Sequence, residues 1–294
     1  MPVTLSKFIS RCKRRSKYIL ALTGKQLMCL CALPRFSLNR EPRKEKLTVS
    51  LASYPARFRH LPLVIGSLFC QTVKPDHIIL NLCRDELKGT LPRGLLRLQK
   101  KGLEIRIHEE NLMPHNKYYY TLRDDPDSLL VTVDDDVFYA PTLLETLLQQ
   151  HEKRPDCIIA ARGHRIRSEN GAFLPYRQWD YECTDVGIPS MEIIATGVGG
   201  VLYPIGSLPP ETLDKALFKE LCLMQDDLWL KVMELRRGTP TVLCDTALWK
   251  SCLQLREGYI SGLFRTNNGR SQNDVSWQAL SSHFRFTPAD FSDR

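Results

Sequence analysis

A chain of 294 residues and 33.8 kDa has room for one large α/β domain or two small ones. With 43% hydrophobic and 25% charged residues, 16 Gly, 18 Pro and no low-complexity run, it is not disordered, collagenous or a coiled coil. The formal charge of +8 does not point to nucleic acid, because Met1–Lys46 holds 12 Lys and Arg against 2 acidic residues, a balance of +10, leaving 29 basic against 31 acidic residues over Leu47–Arg294. The excess marks a leading segment that meets an anionic surface, not a duplex-binding domain.

That segment comes first in the chain. Lys13, Arg14, Arg15 and Lys17 precede an apolar stretch that Thr23-Gly24-Lys25-Gln26 interrupts before LMCLCALP. Neither half reaches the ~18–20 apolar residues of a membrane span, and no small-residue cleavage site follows. Leu5, Phe8, Ile9, Cys12 and Ile19 recur at helical spacing between the cations, which predicts an amphipathic helix lying peripherally on anionic lipid at the inner face of the cell membrane. A solvated tail and a targeting segment are the other readings of these residues. Ten cysteines scattered from Cys12 to Cys252 without a C-x-x-C pair do not indicate zinc. Most sit in apolar runs such as GSLFCQ and DCIIAA, as expected for a reducing, cytoplasmic compartment.

From Leu47 onward strands and helices alternate. LTVSLASY reads as a strand, ARFRHLPLVIGSLFC as a helix and HIILNLC as a buried strand. PRGLLRLQKKG is helical up to a stop at Gly102, LEIRIHE alternates again, and HNKYYYTLRDD is a short helix. The strand SLLVTV runs directly into Asp134-Asp135-Asp136. Pro141 takes a first-turn position in a helix whose Leu143, Leu144, Leu147 and Leu148 line one face, and CIIAARG is the strand after it. Such a β-α-β-α series predicts an α/β fold with a single Rossmann-like, mostly parallel sheet and helices on both faces.

The second half, His164–Arg294, holds an aromatic-rich polar stretch (PYRQWDYE), a Gly-rich turn (TGVGG), helices at PETLDKALFKELC and QDDLWLKVMELRRG, and a strand TVLCD. No linker divides the halves and there is no internal repeat. We therefore read 47–294 as one domain behind the basic segment 1–46, with its later half completing a site on the C-terminal edge of the sheet, where ligands of open α/β sheets bind.

Three consecutive aspartates at the end of a buried strand repel one another beside a dry core, so something should compensate them. Mg²⁺ or Mn²⁺ does so with one or two carboxylates, water and substrate phosphates. On an extended chain the first and third side chains of D-x-D point the same way, so Asp134 and Asp136 can share a metal–nucleotide while Asp135 points elsewhere. A helix N-cap in a solvated turn is the bland reading of the same triplet. Lys117, at a helix start, suits a diphosphate, and Ser53, Tyr54 and Arg57 at the end of the first strand suit a nucleotide base or ribose, or else form an ordinary strand-to-helix turn. GVGG (Gly197–Gly200) reads equally as a close approach to ligand or a tight turn. Asp226-Asp227 opens a helix, either as a cap or as the general base that takes a proton from an acceptor hydroxyl.

Taken in order, VSLASYPARF, Gln71-Thr72-Val73-Lys74-Pro75, PHNKYYYTL, LLVTVDDDVFYAP, ARGHRIR, TGVGGVLYP with PPETL, MQDDLWLKVM and QNDVSWQAL make the chain from about Val49 to Leu280 resemble the nucleotide-sugar glycosyltransferases of the A-type fold. The likeness is to the family-2-like enzymes of bacterial surface-polysaccharide assembly. The resemblance implies Asp134 and Asp136 at the metal and the donor diphosphate, and Ser53, Tyr54 and Arg57 near the nucleotide; Lys117 and Asp135 are expected at the donor beside them, with a UDP-sugar first among candidates. It implies inversion at the anomeric carbon with an acidic base. The family's usual Glu-Asp pair is Asp226-Asp227 here, which makes Asp227 the expected base and Asp226 its competitor. His283 matches the late metal ligand of some A-type enzymes, although packing or surface is its bland reading.

The expected function is therefore metal-dependent transfer from a nucleoside-diphosphate sugar to a lipid-linked or polysaccharide acceptor. The alternatives are a sugar nucleotidyltransferase, which wants a Gly-rich triphosphate loop that SLASYPARF lacks, and a non-catalytic carbohydrate-binding relative.

Overall fold

The computed structural model describes residues 18–25, 27, 32, 33, 36–87, 89–255 and 271–292. The amphipathic helix expected around Leu5, Phe8, Ile9 and Cys12 lies outside the described residues. No described helix is long and apolar enough to cross a membrane. Phe36 stacks on Phe69 with ring centroids 5.2 Å apart and joins the core, so the packed body already includes Phe36, ahead of the Leu47 boundary expected from composition.

The first half follows the expected alternation: β1 (Lys46–Ala52), α1 (Leu61–Phe69), β2 (His77–Cys83), α2 (Arg93–Gln99), β3 (Leu103–His108), α3 (Asn116–Asp124), β4 (Ser128–Thr132), β5 (Val137–Phe138), α4 (Leu143–Lys153) and β6 (Ile158–Ala160). α1 starts later than ARFRHLPLV suggests. A 3₁₀ turn, Pro55–Arg57, comes first, because Pro62 lacks an N–H and clashes with the preceding turn anywhere but at a helix start. Pro141 likewise stands before α4, whose N-cap is Thr142.

The second half is less regular: β7 (Gly163–Arg165), β8 (Ser168–Glu169), β9 (Ala172–Phe173), β10 (Ile193–Ala195), β11 (Val201–Tyr203), α5 (Lys215–Cys222), α6 (Asp226–Arg237), β12 (Thr241–Leu243), α7 (Thr246–Ser251), β13 (Leu253–Gln254) and α8 (Gln272–Phe284). The helix read over PETLDKALFKELC is split by Asp214, whose carboxylate caps α5 by accepting the Leu217 N–H at 3.0 Å. α6 ends at Gly238, in the left-handed conformation at φ 76° that glycine adopts without steric cost.

The main sheet has seven strands in the order β12-β6-β11-β4-β1-β2-β3. It is an α/β fold with a mostly parallel sheet, as expected; the exception is β11, antiparallel to β4 and β6. Side chains alternate between two apolar layers, as a period of two requires. Leu129, Val131, Ile159 and Val242 pack on one face with α1 and α4, and Leu130, Ile158, Ala160 and Leu243 on the other with Tyr118 and Trp229.

The chain builds β1, β2 and β3 outward, then returns to place β4 on the other side of β1. Ser50 aligns with Thr132, and the Val133 N–H donates to the Ser50 carbonyl at 3.1 Å. The C-terminal ends of β1 and β4 therefore open side by side at a topological switch point, the crevice that ligands of open α/β sheets use.

Candidate active site

A cavity of about 630 Å³ opens at this switch point, lined among others by Ser53, Tyr54, Arg57, Lys117, Asp134, Asp135, Asp136, Asp226 and Asp227. Nine of the ten side chains expected at a site thus meet in one place. The tenth, His283, does not. It is exposed near the end of α8 with its ring against Phe284. Asn273, near the start of α8, lines the cavity, and the helix rise carries His283 about 15 Å beyond it.

The loop after β4 is pinned to the end of β1. Asp135 accepts from Ser53 Oγ at 2.6 Å and Arg57 Nη1 at 2.7 Å, and the same Nη1 stands 2.9 Å from Asp136 Oδ2. Arg57 is steadied by the Tyr54 hydroxyl, 3.3 Å from its Nε. Asp134 turns the other way, to Lys117 Nζ at 3.0 Å. The expectation that the first and third aspartates share a direction assumed an extended chain. β4 ends at Thr132, and Asp135 and Asp136 lie in a turn, so strand alternation does not apply. Asp136 still belongs with Asp134: burial first, and then the Asp134 charge, push its carboxyl up from the ordinary range. Asp136 Oδ1 is buried with no hydrogen-bond partner among the described residues. An orphaned carboxylate oxygen beside a second carboxylate suits a hard divalent cation, although no group of three or more His, Cys, Asp or Glu side chains among the described residues makes a metal site by itself.

α3 delivers Lys117 to the opposite wall, and α6 brings Asp226 to within 2.7 Å of it. Burial disfavours the ammonium, but Asp134, Asp226 and Asp227 outweigh it and hold Lys117 well above the ordinary lysine range. Burial equally opposes ionised Asp226, and Lys117 outweighs it, holding that carboxyl below its ordinary value. Asp227 points to another partner, accepting the Gly197 N–H at 3.1 Å. Burial, with Asp226 beside it, pushes Asp227 up to about 7. The two neighbours are thus separated in acidity, as an acid–base site requires. A Cβ at Gly197 would collide with Lys117 Nζ, so the close approach that GVGG permits is made by the protein's own lysine.

Several residues that build the site were not singled out from the sequence. The buried Tyr139 hydroxyl accepts the Asp134 N–H at 2.8 Å and donates to the Val198 carbonyl at 3.2 Å, joining the aspartate turn to the glycine turn. Arg162, His164, Tyr176, Glu182 and Trp249 also line the cavity. A signal for Arg162 was available, since it follows β6 as Asp134 follows β4, on the same edge of the sheet.

No family model and no curated protein matches the chain. Solved structures similar to it include the mannosyltransferase PcManGT from Pyrobaculum calidifontis in complex with GDP-Man and Mn²⁺, at 13% identity over 78% of this chain and 66% of that one, with a TM-score of 0.44. S. aureus TarS 1–349 is 13% identical over 68% of this chain and 57% of that one, with a TM-score of 0.44, or 0.45 in complex with UDP. Glucosyl-3-phosphoglycerate synthase from Mycobacterium tuberculosis is 12% identical over 42% and 49%, with a TM-score of 0.32. The chain spans between 49% and 66% of the lengths of these structures. At these TM-scores the likeness says nothing of substrate or mechanism, which rest on the chain's own residues.

Proposed function

We propose that the chain is a metal-dependent glycosyltransferase of the A-type fold that moves a sugar from a nucleoside-diphosphate sugar to a lipid-linked or polysaccharide acceptor with inversion. One observation carries the reading. Among the described residues, the cavity is lined by seven carboxylates, Glu86, Asp134, Asp135, Asp136, Glu182, Asp226 and Asp227, against three strong cations, Arg57, Lys117 and Arg162. So negative a lining repels a diphosphate unless a divalent cation stands between them.

Asp134 and Asp136 would hold Mn²⁺ or Mg²⁺, which when bound neutralises charge building on the leaving diphosphate. Lys117, 3.0 Å from Asp134, adds a positive charge on the same side. Ser53, Tyr54 and Arg57 form the nucleotide wall, and Asp135 keeps that wall fixed to the acidic turn through Ser53 and Arg57. Asp227 is the base: half-buried and near 7, it takes the proton of the acceptor hydroxyl as that oxygen bonds to the anomeric carbon. The bond from that carbon to the diphosphate oxygen breaks, and the diphosphate leaves with the electron pair. Asp226 is buried against Lys117 and serves instead to hold it.

A nucleotidyltransferase is disfavoured because Ser53-Tyr54-Pro55-Ala56-Arg57 offers no glycine loop and its one cation is engaged by Asp135 and Asp136. The basic segment 1–46 supports peripheral contact with the cytoplasmic face of a membrane, where a lipid-linked acceptor resides; flotation with anionic vesicles, lost on its deletion, tests that part. For the reaction, sugar nucleotides incubated with the chain and Mn²⁺ should release nucleoside diphosphate. Release from no member of a UDP-, GDP-, dTDP- and ADP-sugar panel, or release unaffected by EDTA, overturns the reading.

A further inference from the structure

Arg57 and Lys117 each bridge two carboxylates, and the two bridges follow one pattern. Arg57 Nη1 stands 2.9 Å from Asp136 Oδ2, on a carboxylate proposed for the metal, and 2.7 Å from Asp135 Oδ1, on one that is not. Lys117 Nζ stands 3.0 Å from Asp134 Oδ1, on the other carboxylate proposed for the metal, and 2.7 Å from Asp226 Oδ2, on one that again is not. In both bridges the shorter contact goes to the acid outside the metal pair. Arg57 is held in place from that outer side. Asp135 accepts from Ser53 Oγ at 2.6 Å, and Tyr54 brings its hydroxyl to 3.3 Å from Arg57 Nε and its ring centroid to 5.6 Å from the guanidinium carbon. The side chains of Arg57, Asp135 and Asp136 are 12%, 11% and 12% exposed, so solvent ions screen their charges weakly.

We infer that Arg57 is a yielding counter-ion, which occupies Asp136 against a bare divalent cation and gives it up, retreating onto Asp135, when the cation comes with a nucleotide diphosphate. This rests on the placing of the metal at Asp136 in the transfer reading above. A guanidinium on Asp136 Oδ2 repels any second cation brought to the same carboxylate, and in a weakly screened site that repulsion is large. Giving up Asp136 does not strand Arg57, because the 2.7 Å contact with Asp135 remains. A buried charge that keeps one partner avoids the heavy cost of a charge left with none. The middle acid of the triplet thereby has a task the metal does not give it. Asp136 Oδ1, buried and without a hydrogen-bond partner among the described residues, is the oxygen Arg57 leaves open. A diphosphate brings negative charge that offsets the repulsion between Arg57 and the cation, so metal and nucleotide each raise the affinity for the other by the same factor.

The test measures Mn²⁺ binding to the full chain by calorimetry and by electron paramagnetic resonance of the free ion, alone and with UDP or GDP, so no turnover is needed. Arg57→Gln, which removes the charge and keeps a polar side chain, should bind Mn²⁺ alone at least about tenfold more tightly than the parent. Arg162→Gln takes the same charge from the same cavity, but from a side chain paired with Glu182, and should tighten Mn²⁺ binding by less than about threefold. With nucleotide present the advantage of Arg57→Gln should vanish, because Arg57 also belongs to the nucleotide wall. Should Arg57→Gln fail to fold, Arg57→Lys, which keeps a charge but loses the planar fork, should tighten Mn²⁺ binding in the same direction by about threefold. Equal or weaker binding of Mn²⁺ alone in the Arg57 variants, an equal effect in Arg162→Gln, or an advantage undiminished by nucleotide overturns the inference; if the parent still binds nucleotide only with Mn²⁺, the transfer reading stands without it. Tighter binding of Mn²⁺ in Arg57→Gln, with no nucleotide bound by parent or variant, upholds the counter-ion and overturns the transfer reading alone.

Discussion

Lys117 Nζ lies 2.7 Å from Asp226 Oδ2, with the two side chains 8% and 9% exposed. This buried pair ties α3 to α6, and therefore the diphosphate side of the cavity to the proposed base.

Removing one partner of such a pair leaves an uncompensated buried charge. Lys117→Met should cost about 3–5 kcal/mol in urea denaturation, and Lys117→Met with Asp226→Asn should recover much of it. The sign in pH is set by the direction of each shift. Asp226, held below its ordinary range, contributes stability that is present above the unfolded carboxylate pKa and lost as pH falls through the lowered value. Lys117, held above its range, contributes stability that is present below the ordinary lysine pKa and lost as pH rises through the raised value.

Asp227→Asn keeps size and most hydrogen bonding but removes basicity. Sugar transfer should fall by roughly 10²–10⁴ while donor affinity survives. In the parent, kcat/KM should rise with pH through about 7 as Asp227 ionises, and the variant should lose that limb. Because its pKa is raised, Asp227 stabilises the fold below the ordinary carboxylate pKa and this contribution is lost as pH rises through about 7, so the variant's stability should vary less between pH 4 and 7, read by urea midpoints. Asp226→Asn should instead act mainly on stability, through Lys117.

Tyr139→Phe retains the buried ring and deletes the hydroxyl that joins the Asp134 N–H to the Val198 carbonyl. Stability should drop by about 1 kcal/mol, a modest loss. The larger expected effect is on metal-dependent nucleotide affinity, because the aspartate turn loses its tie to the glycine turn. A fall in urea midpoint with an unchanged nucleotide Kd would show the hydroxyl to be structural only.

The parallel half of the fold was legible because HIILNLC, LEIRIHE and SLLVTV are apolar or alternating runs long enough to show their period, and they fold as β2, β3 and β4. β11 was not, since Val201–Tyr203 offers three residues between Gly200 and Pro204 and leaves no period to read. At the site, residues at strand and helix ends, such as Arg57, Lys117 and Asp134, were recoverable because the edge of an α/β sheet collects them. Which carboxylate takes which cation was not, because the pairing of Asp135 with Arg57 and of Asp134 with Lys117 is decided by the path of a turn in space. His283 matched a pattern in sequence while α8 carries it away from the cavity.

Calorimetry of UDP and GDP binding in the presence of Mn²⁺, on the parent chain and on Asp136→Ala, tests most directly whether the acidic turn holds a metal–nucleotide. At least one nucleotide should bind the parent only when Mn²⁺ is present, and that binding should vanish in Asp136→Ala while the variant still unfolds cooperatively. Metal-independent binding, or equal affinity in the parent and in Asp136→Ala, would contradict the assignment.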